Sequence, residues 1–344
     1  MPQKSIETFR THSNYIKAFN LLVHDPISSG ALNLYQHLRN RILQANVLPQ
    51  SHNPSINLDQ VRSSLQSAWG TETLLLMTKR IIHEDELLRL SNNWSSIQVY
   101  YIFYHCTQAL HVARGHPNRP ESHPATQNLF YDYWASRSTC LPPWSLAFGH
   151  SGAINVHPMI TPDTSIHPWT ACDATNAWSL ALKSLMTTRR EALEEHFKKQ
   201  RENKRRQNRR AWEQSVNSRL PRASRPRQAP IFRLPRLSNE EKANIDLRLR
   251  PYTIMDYLYR LRLKTNYEDS NMFSDGPEDD NSSRYIRNAL CRIANGTLFL
   301  HELAIRNLVG RESFLSWIDD WIRRYMPQNT LTGLAFRRRY LDGQ

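Results

Sequence analysis

The sequence predicts a mainly α-helical fold. Apolar residues recur every three or four positions along most of the chain, whereas sustained alternation of apolar and polar residues, the pattern of strands, is scarce. Hydrophobic residues make up 40% of the 344 positions, so there is ample material for a core. A chain of this length has room for about two domains. We therefore expect a helical bundle to which segments of different composition are added.

The N-terminal third, residues 1–114, is predicted to supply the first helices of the core. Residues 14–48 and 58–90 have helical periodicity and are separated by a turn-rich stretch, residues 49–54. In the next predicted helix, residues 94–114, apolar side chains recur at helical spacing and tyrosines cover much of the remaining surface. This pattern is typical of a helix that is buried on most sides.

Two changes of composition follow. Residues 115–172 contain eight prolines, so we expect an irregular insertion that covers the helical core. Residues 173–215 are then predicted to form one long helix with its N-cap at Asp173 or Thr175. The apolar stripe of this helix ends where the positive charge begins and consists of Trp178, Leu182, Leu185, Ala192, Leu193 and Phe197.

The positive charge of the chain is concentrated in one segment. Between Lys198 and Arg236 there are 14 Lys or Arg residues and only two acidic residues, Glu202 and Glu213, while the whole chain has a formal net charge of +14. The first part of the segment lacks Pro and Gly and is predicted to continue the long helix beyond the core. In residues 216–250, four prolines alternate with arginines and favour an extended arm. The segment is therefore predicted to be a projecting basic helix followed by a basic arm.

Residues 251–344 are predicted to complete the helical core. Pro251 suits the first turn of a helix over residues 252–265, because proline lacks only an N–H that has no partner there. A long helix is expected over residues 284–309, and Gly310 separates it from a further helix.

Several classes of protein are excluded by what the sequence lacks. The four cysteines, at positions 106, 140, 172 and 291, form no CxxC pair, which argues against a zinc ribbon or a disulfide framework and favours buried thiols in a reducing compartment. No stretch approaches the roughly 20 apolar residues that span a bilayer, and no secretory signal is evident. Phosphate-binding and nucleophile-elbow strings are also missing. We expect a cytoplasmic protein with no cofactor, no metal site and no membrane contact.

A local block of positive charge usually has a polyanion as its partner. Arginine outnumbers lysine by 36 to 9, and guanidinium groups bind phosphate through paired hydrogen bonds and stack on bases. Trp212 offers a surface on which unpaired bases stack. The predicted nucleic-acid-binding residues are Lys198, Lys199, Arg201, Lys204, Arg205, Arg206, Arg209, Arg210, Trp212, Arg219, Arg222, Arg225 and Arg227. The alternatives are an arginine-rich composition without function, a nuclear-localisation signal, a solvated helix and a surface for an acidic protein.

Two strings resemble a known family. The string WSSIQVYYIFYHCTQAL that begins at Trp94, followed by Gly115, Pro117 and His123, resembles the second helix and following loop of the HEPN superfamily (higher eukaryote and prokaryote nucleotide-binding). The string LYRLRLKTNYED that begins at Leu258 is similar to the R-xxx-(D/N)-Y element of that family. The matching residues are Tyr100, Tyr101, His105, Arg262, Asn266, Tyr267 and Asp269. The Pro-rich insertion between core helices also resembles that of YaaC-like proteins.

The resemblance implies an HEPN-like bundle of four or five helices, commonly a dimer, and in many members a metal-independent RNase. The family's catalytic signature is an Arg and a His four to six residues apart on one helix: arginine stabilises the charge that builds on phosphorus, and histidine moves the proton of the attacking 2′-hydroxyl. The best matching pair here is Arg189 and His196, seven residues apart and on one helical face. With 36 arginines and 14 histidines such a pair also arises by chance, and His196 lies at the edge of an apolar stripe, where packing histidines are common.

Three functions stay open at this point. The first is a nucleic-acid-acting enzyme, with RNA favoured over DNA, in which Arg189 and His196 cut RNA as part of a toxin or antiviral defence system. The second is a non-catalytic nucleic-acid-binding or scaffolding subunit of a larger complex. The third is an adaptor whose basic arm docks on an acidic protein. A homo-oligomer or a hetero-complex is expected for the protein.

Overall fold

The predicted mainly α-helical fold is confirmed by a computed structural model, which describes residues 2–24, 33–48, 56–82, 84–137, 141–150, 154–155, 161–217, 230–277, 279–325 and 333–342. The helices of these residues are α1 (Pro2–His24), α2 (Leu34–Ala45), α3 (Leu58–Ile81), α4 (Asp85–Ala113), α5 (His123–Phe130), α6 (Ala177–Asn217), α7 (Asn239–Arg248), α8 (Ile254–Leu263), α9 (Met272–Asp275), α10 (Asp280–Val309), α11 (Arg311–Tyr325) and α12 (Gly333–Leu341).

Short irregular elements connect these helices. Two π-helical turns, Tyr131–Ala135 and Lys264–Glu268, continue α5 and α8. Three strands of two residues each form an antiparallel sheet in the order β2-β1-β3, and their bounds are β1 (Ala147–Phe148), β2 (Ile154–Asn155) and β3 (Tyr252–Thr253). The sheet joins the Pro-rich region to the segment before α8, because Ala147 pairs with Thr253.

The core is built around α4 and α10, which pack against each other. Helix α4 also contacts α3 and α8, while α1 lies against α10 and α6. Apolar side chains are buried on most sides of α10, including Leu290, Ile293 and Leu298, as expected for a helix enclosed by others. The start of α6 is thereby fixed to the bundle through α1.

Polar groups along α10 receive the indole N–H groups of three buried tryptophans. Trp144 donates to the hydroxyl of Thr297 at 2.9 Å and Trp134 donates to Nε2 of His301 at 3.0 Å. Trp69 of α3 donates to the carboxylate of Glu302 at 2.9 Å. A buried indole N–H that lacks a partner is destabilising, so these bonds fix how α3 and the Pro-rich region pack on α10.

A buried ion cluster holds the C-terminal helix. Arg337 of α12 donates to Glu72 of α3 through Nη2 at 2.7 Å and to Glu302 of α10 through Nε at 2.7 Å. Its Nη1 also donates to Oδ1 of Asn295 at 2.9 Å. Arg337, Glu72 and Glu302 are each almost fully buried. Since buried charges are stable only when they are paired, α12 closes the bundle by supplying one positive charge that is shared by two carboxylates.

The helix predicted over residues 14–48 is divided between α1, which begins at Pro2, and α2, which begins at Leu34. Three other boundaries also differ from those predicted. Residues 115–172 are not irregular throughout: Pro124 occupies the first turn of α5, where proline is tolerated, and Ser122 caps that helix by accepting from the N–H of Ala125 at 3.3 Å. The helix predicted over 58–90 ends at Ile81, and α4 begins at Asp85.

The third difference concerns the start of α8. Tyr252 and Thr253 form β3 rather than a helical turn, because the carboxylate of Asp256 accepts the N–H of Thr253 at 2.8 Å and caps the helix at that point. The predicted break at Gly310 is correct, and its φ of 92° is one that glycine adopts without strain.

Cys106, Cys172 and Cys291 are buried, as predicted, and Cys140 lies outside the described residues. Within the part of the chain that the structure describes, no helix is both long enough and apolar enough to cross a membrane.

Candidate nucleic-acid interface

Helix α6 is a single helix of 41 residues that carries both the core stripe and the basic segment. Near its start Leu182 and Leu185 are buried, whereas most side chains from Lys198 to Arg210 are exposed. The predicted continuation of the core helix into the basic segment is therefore confirmed. A rigid helix rooted in the bundle holds these charges at fixed positions.

Five cations in the basic part of α6, from Lys198 to Arg210, are exposed and form no ion pair with another described residue: Lys198, Lys199, Arg205, Arg206 and Arg210. At 100° per residue they fall within an arc of about 140° of the helix, and we call them the cationic face. Two acids, Glu202 and Glu213, lie in the same arc. The face therefore keeps an excess of positive charge that is directed towards solvent.

The other predicted binding residues of α6 already have partners. Arg201 donates from Nε to the carbonyl of Pro235 at 3.1 Å, Lys204 pairs with Glu241, and Arg209 pairs with Glu213 at 2.8 Å. Trp212 is half-buried and thus less available to stack on a base than an exposed indole. The arm residues Arg219, Arg222, Arg225 and Arg227 lie outside the described residues.

The described end of the predicted arm does not project. Residues 230–238 return along α6, where Leu237 is buried and Pro235 accepts the bond from Arg201. A capping box at Ser238 then starts α7, because the N–H of Glu241 bonds to the Ser238 hydroxyl at 3.1 Å. Arg201 and Lys204 point about 110° and about 170° away from the middle of the cationic face, so the returning segment covers the back of α6 and leaves that face open.

Arg189, one member of the predicted catalytic pair, lies in the interior. Only 3% of it is exposed, and its guanidinium pairs with the carboxylate of Asp246. Nη2 also donates to the carbonyl of Asp246 at 2.8 Å and to that of Leu249 at 3.1 Å. His150 bonds the second carboxylate oxygen of Asp246. Burial alone would raise the pKa of Asp246, but the hydrogen bonds from His150 and Arg189 outweigh it and leave this pKa lowered.

His196, the other member of the pair, is exposed and lines a pocket of about 700 Å³ at the root of the cationic face. Arg189 does not line this pocket. The structure therefore places His196 at an open surface and Arg189 behind it, where the guanidinium is already occupied. To contact a phosphate beside His196, Arg189 would first have to leave Asp246. Catalysis by this pair stays a prediction.

Four elements form the walls of the pocket. They are α5 with its π-helical turn, the middle of α6, the connection from α7 to β3, and α8; the lining residues are Pro124, Gln127, Asn128, Tyr131, Asp132, Thr188, Ala192, Glu195, His196, Lys199, Arg248, Leu249, Arg250, Tyr252, Asp256, Tyr259, Arg260 and Leu263. Single π-helical turns of this kind are common at functional sites. Only His196 and Lys199 among these residues are predicted catalytic or binding residues, since the fold brings the pocket together from four separate segments.

Several charges of the pocket have a structural use. Arg250 donates from Nη1 to Asp256 at 2.8 Å, and Arg260 pairs with Glu191 at 2.8 Å and with Glu195 at 3.1 Å. These pairs hold the walls together. His196, Lys199 and Arg248, in contrast, form no ion pair within the described part of the chain, so they are available to a ligand.

The residues of the family resemblance meet in a second cluster beside the pocket. The Arg262 guanidinium lies over the rings of Tyr100, Tyr101 and Tyr259 at 5.6, 5.2 and 5.8 Å from their centroids. Tyr100 bonds through its hydroxyl to Nδ1 of His123 at 2.7 Å. Burial, together with the charge of Arg262, lowers the pKa of His123, and burial raises the pKa of Tyr100. The cluster therefore holds a neutral imidazole beside one stacked guanidinium.

The remaining motif residues are more dispersed. His105 stacks on Tyr101 with 6.0 Å between ring centroids, and burial is the main cause of its lowered pKa. Asp269 pairs with Lys4 at 2.9 Å, which ties α1 to the end of the π-helical turn. Asn266 and Tyr267 are exposed. Within the described residues, no group of three or more His, Cys, Asp or Glu side chains is arranged to hold a metal ion.

Comparison with protein-family models, with curated proteins and with solved structures finds no match for this chain. The resemblance to the HEPN superfamily and to YaaC-like proteins accordingly stays a prediction.

Proposed function

We propose that this protein binds nucleic acid, with RNA as the favoured ligand, through the cationic face of α6. The observation that carries the proposal is the presence of five exposed, unpaired cations on one side of a helix rooted in the core. Phosphate contacts by such groups release counterions from the nucleic acid and supply most of its sequence-independent affinity. The fold fixes the spacing of the charges, so a phosphate backbone meets a preformed surface.

The absence of a partner for these cations distinguishes them from the arginines that hold the fold together. Arg260, Arg337 and Arg338 each pair with at least one carboxylate, as expected for structural charges. On the cationic face the nearest described acids, Glu202 and Glu213, are too few to neutralise it. An anionic ligand would supply the negative charge that these two acids do not.

The proposal is tested by fluorescence anisotropy with labelled single-stranded RNA, and with DNA and double-stranded RNA of the same sequence. If all five cations meet phosphates of a single strand, the logarithm of the binding constant falls with the logarithm of the salt concentration with a slope of about −3.5. The triple variant R205A/R206A/R210A should weaken binding about 10- to 100-fold and reduce that slope to about −1.4. A response that does not depend on salt would overturn the proposal.

A charge-matched control separates the cationic face from net charge. The triple variant R190A/R292A/R324A removes three exposed arginines from elsewhere on the surface. The affinity of this control variant for RNA should stay within about threefold of that of the wild type. Equal losses in the two triple variants would mean that only the overall charge attracts the ligand.

RNA cleavage by Arg189 and His196, as part of a toxin or antiviral defence system, is the second candidate function. The position of His196 in the pocket beside the cationic face favours it, and the ion pair of Arg189 with Asp246 opposes it. Labelled RNA would be incubated with the protein in EDTA, alongside His196→Ala and Arg189→Ala. No cleavage by the wild type leaves a non-catalytic binding or scaffolding subunit as the function. Cleavage by both variants at the wild-type rate would exclude Arg189 and His196 as the catalytic pair.

A further inference from the structure

The pocket and the cationic face form one continuous path. Five residues of α6 at intervals of three, four or seven, namely Ala192, His196, Lys199, Arg206 and Arg210, lie within about 80° of one another around the helix axis. The first three line the pocket, and the last two belong to the cationic face. A phosphate chain that follows the exposed cations towards the core is therefore led to the mouth of the pocket.

The pocket has separate polar and aromatic sides. Lys199 of α6 and Arg248 at the end of α7 are exposed cations without an ion-pair partner in the described chain. Tyr131, Tyr252 and Tyr259 are half-buried and line the same space, so each presents part of a ring to it. Aromatic rings beside cations are the combination that binds a base and its phosphate together.

An unsatisfied donor in the wall points independently to a ligand. Gln127 of α5 lines the pocket and is 94% buried, since its relative exposure is 6%. Its amide nitrogen Nε2 has no hydrogen-bond partner among the described residues. A buried amide donor without a partner destabilises a fold by about 1–3 kcal/mol, so such a group is normally kept where something bonds to it. The nitrogen itself is covered in this structure, so it would bond to the acceptors on the edge of a nucleobase once the amide of Gln127 turns towards the pocket.

We propose that this pocket binds a single nucleotide, with Lys199 and Arg248 contacting its phosphate, a tyrosine ring contacting its base, and Gln127 donating to the base edge. The volume of about 700 Å³ lies within the usual range for small-ligand sites. The inference deepens the proposed function, since the nucleotide is either the end of a strand held on the cationic face or a free mononucleotide.

The site is tested by titration calorimetry of the full-length protein with adenosine 5′-monophosphate, adenosine and inorganic phosphate. We expect the mononucleotide to bind more tightly than either fragment. Lys199→Ala and Arg248→Ala should each weaken mononucleotide binding about tenfold and leave adenosine binding unchanged, because each removes a charge-assisted bond to phosphate. Gln127→Leu should weaken the mononucleotide and adenosine alike. Its thermal stability should not fall, because it removes an unpaired buried amide.

Arg190→Ala is the control, because Arg190 is exposed on α6 and does not line the pocket. Mononucleotide binding no tighter than phosphate binding, or equal losses in Arg190→Ala and Lys199→Ala, would overturn the inference. Competition between a single-stranded oligonucleotide and the mononucleotide would identify a strand end as the occupant, and binding without competition would identify a free nucleotide.

The test also separates this inference from the proposed function. The variant R205A/R206A/R210A should lose strand binding and keep mononucleotide binding, since none of the three residues lines the pocket. Salt-dependent strand binding without mononucleotide binding would overturn the pocket alone. Mononucleotide binding without strand binding would overturn the cationic face alone.

Discussion

Arg189 and Asp246 join the root of α6 to α7 through the carboxylate and the main-chain carbonyl of the aspartate, the latter at 2.8 Å. A buried guanidinium that also bonds the carbonyl of Leu249 acts as a clamp on the residues that precede β3. These residues form one wall of the pocket. The side chain that resembles a catalytic arginine in the sequence therefore shapes the site from behind.

Replacing Arg189 by alanine should lower the free energy of unfolding by about 2–3 kcal/mol, because Asp246 and two carbonyls lose their donor. His196→Ala, at an exposed position of the same helix, should stay within about 0.5 kcal/mol of the wild type. Urea unfolding measures both. Equal stability of the two variants would show that Arg189 has no structural role and would strengthen the catalytic hypothesis.

Replacing Arg337 by methionine should destabilise the protein by about 3–5 kcal/mol, because Glu72 and Glu302 would stay buried without a counter-charge. The neighbouring Arg338 pairs with Asp319 but is about one-third exposed. Arg338→Met should therefore cost less than about 1 kcal/mol. Denaturant unfolding of the two variants compares a buried and an exposed arginine of the same helix, and similar losses would contradict the cluster's role in holding α12.

Stability should fall as the pH is lowered from about 6.5 to 4, and His301 is one cause. Burial lowers the pKa of His301 to about 4, and its ring accepts from Trp134 while Nδ1 bonds the carbonyl of Thr297 at 2.8 Å, which requires the neutral form. In this window the unfolded chain takes up a proton that the folded protein does not, so the free energy of unfolding decreases by up to about 1.4 kcal/mol per pH unit.

His301→Gln should reduce the number of protons taken up on unfolding by up to one, which makes this pH dependence shallower. Unfolding curves between pH 4 and 8 would measure it, and the difference between variant and wild type near pH 8 gives the separate loss of packing. An unchanged slope in the variant would contradict the assignment. Burial also lowers the pKa of His12 to about 3 and that of His111 to about 4, so part of the slope should persist.

Gly276→Ala should destabilise the protein by more than about 1 kcal/mol. An added Cβ would overlap the carbonyl of Met272 and the Cβ of Phe9, both of which are held by the packing of α1 on α9. Gly70→Ala in α3 is the matched change: its Cβ would meet Trp321 at 3.7 Å, an ordinary contact. Alanine there should be neutral or stabilising by up to about 1 kcal/mol, since it favours helix. Thermal melts of both variants test the difference.

The fold class and the course of α6 were predictable because they depend on local periodicity. The break at Gly310 was also predictable, since it rests on the conformational freedom of one residue. The break between Ile81 and Asp85 was not, because no Pro or Gly marks it. The helix at Pro124 was missed because proline interrupts a helix interior but suits a first turn, and only the cap at Ser122 distinguishes the two cases.

The candidate site was predictable only in part. The cations of α6 are visible as a charge count, but the sequence does not show that Arg201 and Lys204 face the returning segment. The pocket depends on Gln127 and Arg248, which are far apart in the chain and carry no local signal, and on Tyr259, which is not one of the residues that match the family motif. Long-range packing decides which polar groups are used inside the protein and which stay open to a ligand.

Because α6 is not interrupted, the length of the proposed interface follows from the rise of the helix per residue. From Lys199 at the pocket to Arg210, eleven residues at about 1.5 Å each extend over roughly 16 Å. Phosphates of one strand of duplex DNA are spaced by about 3.4 Å along the axis, so this distance would correspond to about five of them if the bound strand kept that spacing. The length of α6 would thus set how many phosphates of a strand the protein contacts, counted from the pocket to Arg210.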